Sequence, residues 1–160
     1  MTLDRVASLL ASIPLFSSLD LAKIKLLVLA SDRVQFDSGQ ILCKQGDYGD
    51  AAFVILDGDV RVFVSHDASS MEVARLKSGS IVGEFSLLYG GERLATVEAA
   101  SDVVDTLKIS KDDFLTMMRD FPEMTVVVLE HMARSLSEAQ EALASTRQEL
   151  DDLKVKAGHG

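Results

Sequence analysis

Between residues 32 and 109 the chain alternates apolar and polar residues in short runs. Glycine breaks those runs at Gly39, Gly46, Gly49, Gly58, Gly79, Gly83, Gly90 and Gly91. Helices do not tolerate so many interruptions, because each glycine inside one costs about 1 kcal/mol relative to alanine. Short strands turned by glycine do tolerate them. The alternation predicts strands over residues 33–36, 40–44, 51–56, 60–65, 72–76, 95–100 and 103–109. Strands this short and this closely spaced close on themselves or pack as two sheets. The expectation is a double-stranded β-helix, a jelly-roll-like β-roll. Asp57-Gly58 predicts a hairpin turn, since glycine accepts positive φ, and Ser65-His-Asp-Ala-Ser-Ser70 predicts a hairpin tip. One segment departs from the pattern: Glu84-Phe-Ser-Leu-Leu-Tyr89, directly after Gly83, reads as a short helix inside the β block.

Helical spacing governs both flanks. Leu3, Val6, Leu9 and Leu10 recur at that spacing, as do Ile24, Leu27 and Val28, with Pro14 and Ser17-Ser18 splitting the region into two or three short helices. Ser110 followed by Asp112 and Asp113 is a capped helix start. Pro122 then opens a longer helix, where its missing N–H costs little. Along that helix Leu129, Met132, Leu136, Ala139, Leu143, Thr146, Leu150 and Leu153 step alternately by three and four residues. This heptad seam is roughly 36 Å long. With Leu129 at position a, Glu149 falls at g and Lys154 at e, a pair that bridges parallel chains. The expectation is that Leu129 to Leu136 packs along the helix's own domain and that the helix self-associates beyond Ala139, giving a homodimer. The class is therefore mainly β with flanking helices: a body over 1–121, a long helix over 122–156 and a tail over 157–160.

Composition removes several functions. A net charge of −9 opposes a nucleic-acid surface, which needs a basic stripe, although it permits one phosphate in a pocket. The single cysteine, Cys43, excludes a disulfide framework and reads as a small buried hydrophobe. His66, His131 and His159 show no metal-ligand spacing, so no metal and no cofactor are expected, and a metal oxygenase on a similar β-roll is disfavoured. Residues 1–30 carry no basic region ahead of a long apolar run, so the expectation is a cytoplasmic protein without a membrane span.

Gly83 leading into Glu84, Phe85 and Ser86 offers N–H groups to an anion, and Arg93 offers a planar fork of donors for phosphate oxygens. A carboxylate beside an anion needs another task, and vicinal sugar hydroxyls would give Glu84 one. Spacing alone favours Glu84 as a first-turn acid and Arg93 as a surface loop residue or a partner for Glu84.

The stretch from Gly83 to Val97, Gly-Glu-Phe-Ser-Leu-Leu-Tyr-Gly-Gly-Glu-Arg-Leu-Ala-Thr-Val, resembles the phosphate-binding cassette of cyclic-nucleotide-binding domains. These are the sensor domains of catabolite activator protein, protein kinase A regulatory subunits and cyclic-nucleotide-gated channels. Ile13-Pro-Leu-Phe-Ser-Ser-Leu19, Phe36-Asp-Ser-Gly39, Gln45-Gly-Asp-Tyr-Gly-Asp50 and Phe53-Val-Ile-Leu-Asp-Gly-Asp-Val60 are similar to the family's other marked segments. The resemblance implies that Arg93 holds the cyclic phosphate, that Glu84 takes the ribose 2′-hydroxyl, and that N–H groups around Phe85, Ser86 and Leu94 complete the cradle beside Gly83. It departs at Leu94, usually a small residue, and at Glu92, often proline. Pro122-Glu-Met and His131-Met-Ala-Arg-Ser-Leu136 resemble the long helix of catabolite activator protein, and its base-holding hydroxyls fall on Ala139 and Gln140. Gln140 can still donate to and accept from a base. The implied function is a regulatory sensor of cyclic AMP or cyclic GMP that is not an enzyme, carries no DNA-binding output and acts on an effector protein. The alternative is a degenerate fold that serves as a dimerisation or adaptor unit without ligand.

Overall fold

A computed structural model describes residues 1–158 of the chain. Helices α1 (Leu3–Ala11) and α2 (Leu21–Ala30) lead into strands β1 (Asp32–Asp37), β2 (Ile41–Cys43), β3 (Ala51–Asp57), β4 (Val60–His66), β5 (Ser69–Leu76) and β6 (Ile81–Val82). Helix α3 (Glu84–Tyr89) follows, then β7 (Thr96–Ala99), β8 (Val103–Ser110), α4 (Lys111–Asp120) and α5 (Pro122–Gly158). The strands form two four-stranded antiparallel sheets, ordered β1-β8-β3-β6 and β2-β7-β4-β5. The predicted mainly β fold with flanking helices is the observed one. The expected strand positions hold within a few residues, and β6 is the addition.

Side-chain alternation explains the layering. On β3, Ala52, Val54 and Leu56 face the helices, while Phe53 and Ile55 face the second sheet. On β8, Leu107 and Ile109 join the helical side and Val104 the other. The central strands β3 and β8 of the first sheet are thus covered on both faces, with α1, α2, α4 and the start of α5 over one and the second sheet over the other. Phe16 meets Phe114 edge-on at 6.4 Å, which fastens the turn after α1 to α4. Ser110 caps α4 by accepting from the Asp113 N–H.

Two expectations are corrected. Asp57-Gly58 does not close a hairpin, because β3 and β4 lie in different sheets. Instead Gly58, at φ 94°, carries the chain from one sheet to the other, passing so close to β8 that a Cβ would sit 2.7 Å from the Val103 carbonyl oxygen. The true hairpin is β4–β5, with His66 opposite Ser69 as the tip predicted. Second, Leu129 and Leu136 do not pack on their own domain. Met124 and Val128 do, with Met132 partly buried behind them, while Leu129, Leu136, Leu143, Leu150 and Leu153 are all exposed. At 3.6 residues per turn Leu129, Leu136 and Leu143 lie roughly 60–100° around the helix from Val128, and Leu150 and Leu153 lie beyond the end of the body's contact with α5. Helix α5 ends at Gly158, two residues past the expected limit, and residues 159 and 160 of the expected tail lie outside the described residues.

Candidate ligand-binding site

Strand β6 ends at Gly83, whose φ of 84° turns the chain sharply into α3. Glu84 and Ser86 therefore point inward, and Leu87 anchors the helix in the core. After α3 the chain loops back to Arg93. The Arg93 N–H donates to the Asp47 carbonyl at 2.7 Å, and the Arg93 carbonyl accepts from Gly46 at 3.0 Å. The Tyr89 hydroxyl donates to the Glu92 carbonyl, which braces the loop. This clamp buries Arg93 to 7% exposure, alongside Glu84 at 7%.

The Arg93 guanidinium finds only neutral partners. Nη1 donates to the Gly83 carbonyl and to Ser86 Oγ, each at 3.1 Å, and Nη2 donates to the Ala51 carbonyl. Among the described residues no carboxylate lies within 4.0 Å of it, so Arg93 and Glu84 are not an ion pair. An unpaired buried charge is costly, and an anion would offset that cost. Among the described residues Nε and the second Nη2 proton have no acceptor and are free for an anion.

Two glycines make room for the guanidinium. A Cβ at Gly83 would lie 2.2 Å from Arg93 Nη1, and one at Gly49 would lie 2.6 Å from Arg93 Cζ and 2.5 Å from Ser86 Oγ. Gly49→Ala is therefore expected to displace Arg93 and to destabilise the fold by about 1–3 kcal/mol. Urea unfolding of the two proteins checks this, and equal midpoints would mean that Arg93 is not held at Gly49.

The site opens on a cavity of about 350 Å³, within the usual range for small-molecule pockets. Its apolar wall comes from the second sheet and β6: Cys43, Val62, Val64, Leu76, Val97, Ile81 and Val82. Gly83, Glu84, Phe85, Ser86, Arg93, Leu94 and Ala95 form the polar side. Burial pushes the Glu84 carboxyl above the ordinary carboxylate range, opposed by its own backbone N–H and by His131. Burial also raises the Cys43 thiol, with Arg93 pulling it down. Cys43 is buried as expected, and it forms part of the pocket wall.

Six of the seven residues singled out in the sequence meet here: Gly83, Glu84, Phe85, Ser86, Arg93 and Leu94. Gln140 does not. It is exposed on α5, roughly 13 Å along the helix from His131, and it does not line the cavity. Glu92 is exposed and outside the lining as well. The sequence reading missed Gly49, the Ala51 carbonyl and His131. It held a signal for the apolar wall, because Val62 and Val64 share the inward face of Val60 at strand spacing. Nothing in the sequence pairs His131 with Glu84.

Comparison with known proteins places the chain in a family. The family of cyclic nucleotide-binding domains matches residues 33–121. The cyclic AMP receptor protein of Thermus thermophilus is 32% identical over 127 residues, which is 79% of this chain and 58% of that protein. The cAMP-dependent protein kinase regulatory subunit of Dictyostelium discoideum is 35% identical over 103 residues, 64% of this chain and 32% of that protein. The crystal structure of the Thermus thermophilus catabolite activator protein superposes with a TM-score of 0.75 at 32% identity, covering 81% of this chain and 61% of that one. The chain thus spans less than two thirds of the length of these relatives. A family match over more than half of the chain, on the same two-sheet fold, means that the protein belongs to the cyclic nucleotide-binding domain family.

Proposed function

We infer that the protein is a regulatory sensor that binds a purine cyclic nucleotide, cyclic AMP or cyclic GMP, in the cavity beside α3. The observation that carries this reading is Arg93: a buried guanidinium with neutral partners only, facing an apolar-walled cavity next to a buried carboxylate. Arg93 takes the cyclic phosphate, helped by N–H groups at Phe85, Ser86 and Leu94. Glu84 accepts from the ribose 2′-hydroxyl, and the base lies against the valines of the second sheet. The module is a switch rather than a catalyst: residues 1–121 sense, and residues 122–156 form an arm that joins two copies through Leu129 to Leu153. Gln140, outside the lining of its own chain's cavity, is assigned to the base edge of the ligand held by the partner copy. Ligand binding favours one seating of the arm, and an effector protein reads the dimer in the cytoplasm.

No helix of the described residues is long and apolar enough to cross a membrane. Calorimetric titration with cyclic AMP and cyclic GMP tests the reading, with saturable binding of one ligand per chain expected. Absence of binding would leave the fold as a dimerisation unit. The same instrument tests Glu84. A charged hydrogen bond contributes about 1.5–3 kcal/mol, so 2′-deoxy cyclic AMP should bind the parent at least about tenfold more weakly than cyclic AMP. Glu84→Gln, whose amide oxygen accepts without a charge, should discriminate between the two less than the parent does. If the parent does not discriminate between them, Glu84 is only a helix-start residue.

A further inference from the structure

Glu84 is tied to the arm as well as to the pocket. His131, on the inner side of α5, lays its ring parallel to that of Phe85, with centroids 5.8 Å apart and planes 10° from coplanar. Its Nε2 then lies 3.6 Å from Glu84 Oε1. That is too long for a hydrogen bond, and the buried Nε2 has no other partner. The contact is electrostatic, and the stack on Phe85 fixes where the imidazole stands.

We propose that His131 is the positioning residue of the pocket, holding the Glu84 carboxylate ionised and aimed at the ligand's sugar hydroxyl from α5. The proposal rests on the nucleotide reading above. A buried carboxyl tends to keep its proton, and a neutral carboxyl accepts more weakly than a carboxylate. A cation within about 4–6 Å favours the ionised form. Among the described residues His131 is the side chain that favours the ionised form of Glu84. Arg93 makes no ion pair with it, and the Cys43 thiol, raised by burial, carries no positive charge. Tyr89 is exposed at the far end of α3, where Lys111 of α4 comes within 3.9 Å of the space beside Gly90. Next to His131 on its own helix, Glu130 and Arg134 are exposed. His131 acts through Glu84 and does not itself line the cavity. Whatever shifts the arm shifts His131, so the sugar contact and the seating of α5 report on each other.

His131→Phe keeps the aromatic stack and removes the nitrogen, and two measurements read the result. The first follows the Glu84 carboxyl by carbon NMR across pH without ligand. Its midpoint should be higher in His131→Phe than in the parent, because the variant lacks the imidazole that favours the carboxylate. An unchanged or lower midpoint overturns the proposal. The second measures the preference for cyclic AMP over 2′-deoxy cyclic AMP against pH. At an acidic pH where the parent still prefers cyclic AMP by roughly tenfold, His131→Phe should prefer it by less than about threefold. Superimposable profiles overturn the proposal even where both proteins bind. If neither protein binds a cyclic nucleotide, the nucleotide reading fails and the sugar contact fails with it, while the carboxyl titration still decides whether His131 holds Glu84.

Discussion

Arg93→Ala should bind cyclic nucleotide roughly thirtyfold to several-thousandfold more weakly than the parent, the span set by about 2–5 kcal/mol for loss of a buried charge-paired donor. The loss is large because the pocket has no substitute cation. The apolar wall contributes none, and His131 stands at Glu84. The remaining partners of the guanidinium are the Gly83 and Ala51 carbonyls and the Ser86 hydroxyl, two of which cannot donate to a phosphate. Calorimetry at fixed ionic strength gives the affinity ratio, and far-ultraviolet circular dichroism confirms that the variant is folded. Arg93→Lys is a sharper companion, since an ammonium keeps the charge but loses the planar fork. It should fall between the parent and Arg93→Ala. If Arg93→Ala binds as tightly as the parent, the phosphate is held elsewhere and the assignment falls.

Leu143→Asp or Leu150→Asp should convert a dimer into a monomer while the β-roll stays folded. The exposed leucines run from Leu129 to Leu153, so the whole seam, apart from the partly buried Met132, is available to a second chain. Each leucine that passes from water into an interface gains roughly 1.5–3 kcal/mol, and a two-fold axis counts each one twice. An aspartate at the same position would put a charge into that seam from both sides. Leu143 and Leu150 lie far from Glu84 and Arg93 along the arm, so their effect should be on assembly before it is on the pocket. Sedimentation equilibrium at micromolar concentration decides the matter. A monomeric parent, with and without ligand, would end the coiled-coil reading.

Strand positions were legible because glycine spacing and alternation are local signals. Pairing was not. The unbroken apolar run Ala51-Ala-Phe-Val-Ile-Leu56 belongs to a strand covered on both faces, which is hard to reconcile with a simple hairpin onto β4, yet Asp57-Gly58 alone favours one. On α5 two stripes coexist: Met124, Val128 and Met132 at helical spacing, and the leucines at heptad spacing. Counting heptads finds the second stripe but cannot say which one meets the body, since Met132 belongs to both. At the pocket, the motif gave the residues around Glu84 and Arg93, while their pairing was open in the sequence. Only the fold shows that the guanidinium turns to carbonyls and leaves the carboxylate to His131, which lies more than forty positions away in the chain.

The alternation along β3 also governs how the molecule comes apart. Its odd and even side chains sit in two separate apolar clusters on one backbone, so neither cluster can melt while the strand stays in place. The β-roll and its covering helices should therefore lose structure in a single cooperative step, with the slowest-exchanging amides along β3 and β8. The arm obeys a different rule. Beyond Met132 the described part of the arm contributes no side chain to either cluster, so within one chain its helicity rests on propensity rather than on packing against the body. Fraying at the arm's tip leaves the body intact, so unwinding that end does not draw on the stability of the domain that holds the cavity.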